Sequence, residues 1–180
     1  CVSTCFPHVF VGGSNQSIEV LKIIDGGGLN DNQLYLNHLA SCPKSNATVD
    51  TRVLSIDCIR RAVDQSESII ILTGHSDASI RIHEFFERDL TFNLLLVLKP
   101  VHQDRCVQQV RIISSTKNDL NFISAGADGA LQAWKFDFES TNTEMLWNHK
   151  AHASGINCIE IRKPSEFSVL FLAVMMGLFH

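Results

Sequence analysis

The sequence predicts an all-β chain built from repeated hairpins. In residues 69–86, an apolar run (69–72) is followed by a turn rich in Gly, Ser and Asp (74–78) and by a segment that alternates polar and apolar side chains (79–85). Such a pattern is typical of two strands joined by a tight turn. A lone hairpin is only marginally stable in water. The fold therefore needs further copies of this unit, and the sequence contains them.

Two other segments fit the frame of this hairpin. Asp128 aligns with Asp77 at the turn. Trp134 aligns with His83 on the second strand, and Asn15 takes the Asp position near the start of the chain. The shared pattern is an apolar run, a Gly or Ala, an Asp or Asn, a small residue, and an alternation that ends on a large residue. Three matches to a pattern of about ten residues indicate an internal repeat.

This repeat resembles the WD repeat, the blade unit of a β-propeller, whose period is about 40–45 residues. The steps from Asn15 to Asp77 and from Asp77 to Asp128 are longer, and the excess falls in polar loops, chiefly residues 25–50. A His ahead of the hairpin is a second feature of that family, and His102 stands in this position. The resemblance implies a partial WD-repeat β-propeller with about three four-stranded blades and an incomplete fourth.

The resemblance also assigns roles to individual residues. In WD repeats the preceding His bonds the turn Asp and ties inner and outer strands together, which implies a structural network of His102, Asp128 and Trp134. Asp77 takes the turn position of its own blade, although no His stands in residues 46–52, and His152 has the same place ahead of a following blade. Taken without the repeat, these residues would be candidate catalytic carboxylates, bases or metal ligands. Their repeat positions favour the structural role.

The repeat also predicts the organisation of the chain. We expect residues 1–24 to end one blade, 25–50 to form a loop, 51–99 and 100–150 to form two blades, 151–173 to begin a further blade, and 174–180 to form an aberrant tail. Inside the loop, residues 32–39 are compatible with a helical turn or a short strand. The tail replaces the expected Asp-Gly turn, which indicates a frame shift or truncation. The absence of an initiator Met at position 1 indicates a piece of a longer protein.

Composition narrows the class of protein. The 180 residues carry a formal net charge of −4, which makes no strong electrostatic case for nucleic acid. The sequence has no apolar run long enough for a membrane helix. Its six cysteines include no Cys-x-x-Cys pair, so we expect no zinc site. We also expect no other cofactor, and we expect the protein to be reduced and cytoplasmic. Cys106 beside Arg105 is a candidate activated thiol, but a buried residue at the start of a strand is the favoured interpretation.

Two segments narrow the family resemblance. Residues 102–111 read His-Gln-Asp-Arg-Cys-Val-Gln-Gln-Val-Arg, and residues 150–159 read Lys-Ala-His-Ala-Ser-Gly-Ile-Asn-Cys-Ile. Both are similar to the family of WD repeat-containing protein six, whose members partner an FtsJ-like tRNA ribose 2′-O-methyltransferase. This resemblance implies a non-catalytic subunit that positions tRNA for methylation at the first anticodon position, while the partner binds S-adenosylmethionine. The chain itself has no Rossmann-type glycine fingerprint.

Other functions stay open. A generic WD-repeat protein-interaction adaptor, of the trafficking or ubiquitin-ligase type, is the alternative, and an enzyme in its own right is a weaker one. The candidate RNA or partner contacts are two basic pairs, Arg60 with Arg61 and Arg162 with Lys163, each at the end of an equivalent inner strand. Solvated turn charges are the favoured explanation of these pairs.

Overall fold

The computed structural model describes residues 1–26, 33–42, 50–63, 66–162 and 169–173, and it describes only the backbone of 63, 66, 162 and 169–173. The strands in this part of the chain are β1 (Val2–Cys5), β2 (His8–Gly12), β3 (Ile18–Asp25), β4 (Leu34–Ser41), β5 (Val53–Val63), β6 (Ser66–His75), β7 (Ile80–Phe86), β8 (Thr91–Leu98), β9 (Val107–Ser115), β10 (Asp119–Gly126), β11 (Ala130–Asp137), β12 (Thr143–Lys150), β13 (Cys158–Arg162) and β14 (Val169–Ala173). A single 3-10 turn, His102–Asp104, precedes β9.

The strands pair in chain order into antiparallel sheets. Three sheets have four strands each, and we call them blade 1 (β1–β4), blade 2 (β5–β8) and blade 3 (β9–β12). The last two strands form a separate pair, the terminal hairpin (β13–β14). The predicted all-β architecture of three four-stranded blades and an incomplete fourth is therefore confirmed.

The three blades share one register. Between the second and third strands, Val9 lies opposite Leu21 in blade 1, Ile71 opposite His83 in blade 2, and Phe122 opposite Trp134 in blade 3. The pairing of the third and fourth strands slips at the same point in each blade, immediately before Leu21, His83 and Trp134. These registers agree with the alignment of the three hairpins in the sequence.

Blade 1 contains more structure than the sequence predicts. Residues 1–24 are expected to hold only the end of a blade, but β1 precedes the hairpin and completes the sheet on its inner side. Residues 25–50 are expected to be a loop, but β4 lies within them and pairs with β3. β4 is the short strand considered for residues 32–39. Its side chains are mostly exposed, so no alternation of apolar and polar residues marks it.

Apolar layers between neighbouring blades hold the stack together. The first layer joins blades 1 and 2 and consists of Phe10, Ile18, Val20, Cys42, Ile56, Ile69, Ile71 and Phe85. The second joins blades 2 and 3 and consists of Ile70, Leu72, Ile80, Ile82, Val101, Val107, Val110, Ile112, Leu120, Phe122, Trp134 and Phe136. The third joins blade 3 to the terminal hairpin and consists of Ile123, Ala125, Leu131, Ile156 and Ile159. Successive side chains of a strand point to opposite faces. Residues 69–72 therefore feed two layers, and each buried Ile or Leu contributes about 1.5–3 kcal/mol.

Side chains of blade 2 also bind the inner strand of blade 3. The Ser55 hydroxyl accepts a hydrogen bond from the Val110 N–H at 3.1 Å. The Asp57 carboxylate accepts one from the Ile112 N–H at 2.8 Å. β9 is the last strand of its sheet on this side, and unpaired N–H groups of an edge strand need partners when buried. These two bonds supply them.

The sequence also predicts that the chain has no membrane helix and that it ends in an aberrant tail. The part of the chain that the structure describes contains no helix that is long and apolar enough to cross a membrane. The predicted aberrant tail, residues 174–180, lies outside the described residues.

Candidate functional site

The two ends of the blades differ in the loops that they carry. The upper rim holds the turns between second and third strands and the crossings from one blade to the next. The lower rim holds the turns between first and second strands and between third and fourth strands. This division follows from the antiparallel order within each blade. The predicted structural network belongs to the upper rim, and the basic residues Arg60 and Arg61 belong to the lower rim.

In blade 3, four buried side chains form a continuous hydrogen-bonded chain. The Trp134 indole N–H donates to the Ser124 hydroxyl at 3.0 Å, and Ser124 Oγ lies 2.8 Å from His102 Nε2. His102 Nδ1 lies 3.0 Å from the Asp128 carboxylate, which also accepts the Ala130 N–H at 3.0 Å. An indole N–H can only donate and an ionised carboxylate can only accept. With a neutral imidazole that carries its proton on Nδ1, the donors run in one direction: Ser124 donates to Nε2, and Nδ1–H donates to Asp128.

This order of donors requires a neutral imidazole at His102. Burial lowers the pKa of His102, although the neighbouring Asp128 carboxylate works in the opposite direction. The ring enters the sheet from a short turn in which His102, Gln103 and Asp104 all have positive φ. Gly126 leaves room for it, since a Cβ there would lie closer than 3.0 Å to the His102 ring. The left-handed turn at residues 102–104 and the absence of a side chain at Gly126 together position the His102 ring.

Blade 2 builds a similar contact from a different position in the chain. No histidine comes from the preceding loop, but His75 occupies the strand position that Gly126 holds in blade 3. Its Nε2 lies 2.8 Å from the Thr73 hydroxyl, and Thr73 stands where Ser124 stands in blade 3. Sequence analysis did not identify His75 or Thr73. The alignment of the two hairpins could have identified His75, because it places His75 at the position of Gly126.

Electrostatics differ between these two blades as well. Burial lowers the pKa of His75 to about 3 and that of His83, which stands in the Trp134 position, to about 4. The nearby Arg81 adds to both shifts. Asp77 has no hydrogen bond with a histidine among the described residues, although its charge acts on His75. It accepts a hydrogen bond from the Ser79 hydroxyl at 2.5 Å and pairs with Arg81 at 3.5 Å and with Lys99 at 3.3 Å.

Asp77 therefore anchors an ionic cluster. Burial alone would raise the pKa of Asp77, but the bonds from Ser79 and Lys99 and the Arg81 charge outweigh it and lower the pKa. Arg81 also donates to the Gln16 side chain in the upper-rim turn of blade 1. The cluster thus connects two blades at the upper rim.

His152 lies at the start of the terminal hairpin and is only partly buried. Its Nδ1 accepts the Ser154 N–H at 3.1 Å. Its backbone, with that of Ser154, lies against Gly129, where a Cβ would come closer than 3.0 Å to both carbonyl oxygens. In a complete blade His152 would meet an Asp of the hairpin turn, but the sequence after residue 173 contains no Asp.

The basic pair at residues 60 and 61 bridges three blades. The Arg60 guanidinium donates to the Phe6 carbonyl of blade 1 at 2.8 Å. Arg61 donates to the Lys117 carbonyl of blade 3 at 2.7 Å, and its guanidinium carbon lies 3.8 Å from the centre of the Phe138 ring. Arg61 also pairs with Glu84 at 3.2 Å. Arg61 is therefore enclosed between two blades, whereas Arg60 stays 40 % exposed.

The second basic pair is described less fully. Arg162 closes β13 opposite Val169. Its side chain and the whole of Lys163 lie outside the described residues.

A cavity of about 360 Å³ opens at the lower rim beside Arg60. Its lining combines charged and apolar side chains of blade 2: Arg60, Glu67, Ser68, Ile69, Phe85, Glu87 and Arg88. Sequence analysis did not identify this group, because its members come from three strands and a turn and share no motif. Among the residues with described side chains, no cluster of three or more His, Cys, Asp or Glu is placed to hold a metal ion. All six cysteines are free thiols.

Comparisons with known proteins give similarity in structure only. No family model matches the sequence, and neither does any curated protein. Among solved structures, Chaetomium thermophilum Sqt1 bound to the N-terminus of the ribosomal protein L10 matches 96 % of this chain and 42 % of its own, with a TM-score of 0.58 at 18 % identity. Saccharomyces cerevisiae Sqt1 matches 89 % of this chain and 37 % of its own, with a TM-score of 0.53 at 11 % identity.

The fold is that of a partial β-propeller. At these identities the likeness establishes the fold alone. The chain spans less than half the length of either Sqt1 protein.

Proposed function

We propose that this chain is a non-catalytic WD-repeat adaptor that binds other proteins. The observation that supports the proposal is the stack of blades, which matches Sqt1 over 96 % of the chain in a structure where Sqt1 holds the N-terminus of a ribosomal protein. A fold alone does not imply a function, so the rims must supply the binding chemistry. In this chain the rims carry turns and exposed charged side chains on a rigid stack, which is where recognition residues usually lie.

Within this proposal, the upper-rim network has a structural role. His102, Asp128 and Trp134 hold the turns of blade 3, Asp77 holds those of blade 2 through its ionic cluster, and His152 begins the same arrangement for the terminal hairpin. Each of these groups fixes a loop whose outer side chains face solvent. Rigid loops lose little conformational entropy when a partner binds.

Capture of partners by the tagged full chain tests the adaptor function. We would compare the wild-type chain with two charge reversals at exposed sites, Arg52→Glu at the upper rim and Arg88→Glu at the lower rim. We expect a defined set of proteins, identified by cross-linking and mass spectrometry, whose retention falls in one of the two variants. Retention no greater than that of the tag alone would contradict the proposal.

We also propose a narrower function, because residues 102–111 and 150–159 are similar to the family of WD repeat-containing protein six. In this version the chain is a cytoplasmic partner of an FtsJ-like methyltransferase and positions tRNA for ribose 2′-O-methylation at the first anticodon position. The methyl-transfer chemistry belongs to the partner, and the chain needs no cofactor or small-molecule substrate. Arg60, Arg162 and Lys163 are the proposed RNA or partner contacts, whereas Arg61 is already engaged by blade 3.

Deleting the gene tests this narrower function. We expect loss of the 2′-O-methyl group at the first anticodon position of specific tRNAs, measured by mass spectrometry of the isolated tRNAs. The charge reversal Arg60→Glu should reduce the same modification. Unchanged methylation after deletion would leave the adaptor function without a role in tRNA.

A further inference from the structure

We infer that the lower-rim cavity of blade 2 binds a peptide segment in which a carboxylate side chain stands next to an apolar one. This inference rests on the proposed adaptor function and adds the site and the chemistry of the partner. The lining groups are fixed by blade 1 on one side and by the core of blade 2 beneath. One of its cations, Arg88, has no ion pair or hydrogen bond with any residue that the structure describes.

The first step concerns the carboxylate of Glu87. Lys22 of blade 1 donates to it at 2.7 Å, and His8 Nε2 of the same blade lies 3.2 Å away. The hydrogen bond from Lys22 lowers the pKa of Glu87. Because Glu87 is neutralised from blade 1, it does not offset the guanidinium groups that share its cavity.

The second step concerns those guanidinium groups. Arg60 has one bond to the Phe6 carbonyl and a long contact of 3.8 Å to Glu67, whose side chain is 77 % exposed. Arg88 is exposed and has neither an ion pair nor a hydrogen bond with any residue that the structure describes. A carboxylate can accept two parallel hydrogen bonds from an arginine, which makes it a matched ligand for this position.

The third step concerns the apolar part of the site. Ile69 and Phe85 line the cavity from beneath, but they are 2 % and 0 % exposed, so they support the site and present almost no surface to a ligand. Beside the cavity, the Phe6 ring is 76 % exposed, while the Phe6 carbonyl is held by Arg60. Exposed aromatic rings and arginines dominate protein-binding energetics. The partner therefore presents an apolar side chain together with its carboxylate.

The same charges favour a peptide over RNA. Binding to an RNA backbone needs several cations along a path, because each phosphate is charged. Here the lining holds two cations, Arg60 and Arg88, together with the acidic side chain of Glu67. A single carboxylate needs only one guanidinium as its partner, so this lining suits a peptide side chain better than a run of phosphates.

The experiment selects binders for the full chain from a phage-displayed library of random 12-residue peptides. Selected peptides are then titrated by fluorescence anisotropy against the wild-type chain, Arg88→Glu, Phe6→Ala and the control Arg52→Glu. The Arg52 side chain is 70 % exposed at the upper rim, so it carries the same charge change far from the cavity. A labelled oligouridine RNA is titrated in parallel. Far-ultraviolet circular dichroism shows that each variant is folded.

We expect enriched peptides that pair Asp or Glu with a neighbouring apolar residue. Arg88→Glu should weaken their binding by about tenfold or more, and Phe6→Ala should weaken it less, while Arg52→Glu leaves it unchanged. Enrichment of basic peptides, no enrichment, or equal binding to Arg88→Glu would overturn the site. So would binding of oligouridine that depends on Arg88 in the absence of peptide binding. Partner capture that survives Arg88→Glu would retain the adaptor function and reject only this cavity.

Discussion

Blades 2 and 3 place an imidazole at the same point of the sheet by opposite routes. In blade 3 the ring of His102 enters from the loop before the blade, and Gly126 leaves space for it. In blade 2 the ring of His75 grows from the strand itself, and the buried Thr51 stands in the preceding segment. Both rings meet a hydroxyl at 2.8 Å. In blades 2 and 3 the same volume is thus filled by an imidazole that contacts a hydroxyl, although the ring comes from different parts of the chain.

The largest loss of stability should come from placing a strand histidine and the loop histidine together in blade 3. Gly126→His adds a second ring where His102 already lies, so we expect a loss of about 4 kcal/mol in the free energy of unfolding, measured in urea. The double variant Gly126→His with His102→Thr copies blade 2 and should recover more than half of that loss. If the two changes were additive, the two blades would not be interchangeable at this point.

The second effect is a difference in stability cost between Arg61 and Arg60, the two arginines of blade 2 that contact neighbouring blades. Arg61→Ala removes the bond to the Lys117 carbonyl and takes the ion-pair partner from the partly buried Glu84, so we expect a loss of about 2 kcal/mol. Arg60→Ala removes a partly exposed group and should cost about 0.5 kcal/mol. The difference is read from the urea midpoints. Equal losses would mean that the Arg61 contacts with blade 3 add nothing.

The third effect is a pH dependence that is strongest in blade 2. Burial holds His75 and His83 neutral, with pKa values of about 3 and 4, while an unfolded His binds its proton near pH 6.5. Below pH 6.5 the unfolded chain therefore binds more protons, and stability falls with a slope of up to about 1.4 kcal/mol per pH unit for each histidine. The fall levels off near pH 3–4, where the folded chain takes up the same protons.

Thermal unfolding of the wild type and His75→Gln between pH 7 and pH 5 measures this contribution. The variant should lose less stability over that range, because it lacks one of the two rings with the most strongly lowered pKa. Asp and Glu side chains titrate mostly below this window. Parallel pH curves for the two proteins would contradict the assignment.

The smallest effect concerns the turns that follow Asp77 and Asp128. Ala78 has φ of 61° and Gly129 has φ of 75°, so both turns need a left-handed residue. Ala78→Gly removes the strain of a Cβ in that region and should stabilise the chain by about 0.5–1 kcal/mol. Gly129→Ala is the matched control. It should destabilise, because its Cβ would meet the backbone of His152 and Ser154. Melting temperatures that shift in the same direction would contradict this account.

Much of the fold follows from local patterns. Alternation along residues 79–85 and the turn chemistry of 74–78 determine strand and turn, because side-chain direction alternates along any strand. The alignment of Asp77 with Asp128 also predicts equal registers, which the blades have. β4 shows the limit of this reasoning. Its side chains are largely exposed and follow a polar, glycine-rich segment, so neither period nor composition distinguishes it from a loop.

The candidate site was much less accessible from the sequence. The pair Arg60 and Arg61 is visible as a basic dipeptide, but successive side chains of a strand point in opposite directions. One of them therefore contacts blade 1 and the other blade 3. Arg88 is part of no sequence motif. Its role in the cavity became visible only when the structure showed that Lys22 of blade 1 neutralises the neighbouring Glu87.

The sequence by itself determined the repeat, the strand order and the place of His102 ahead of Asp128, because these depend on neighbours along the chain. Only the tertiary structure decided that His75 fills the space of a missing loop histidine and that Glu87 is neutralised from blade 1. It also decided that a cavity with the exposed guanidinium of Arg88 remains at the lower rim beside Arg60. Each of these features depends on the distance between side chains that are far apart in sequence. Those distances are set by how one blade packs on the next.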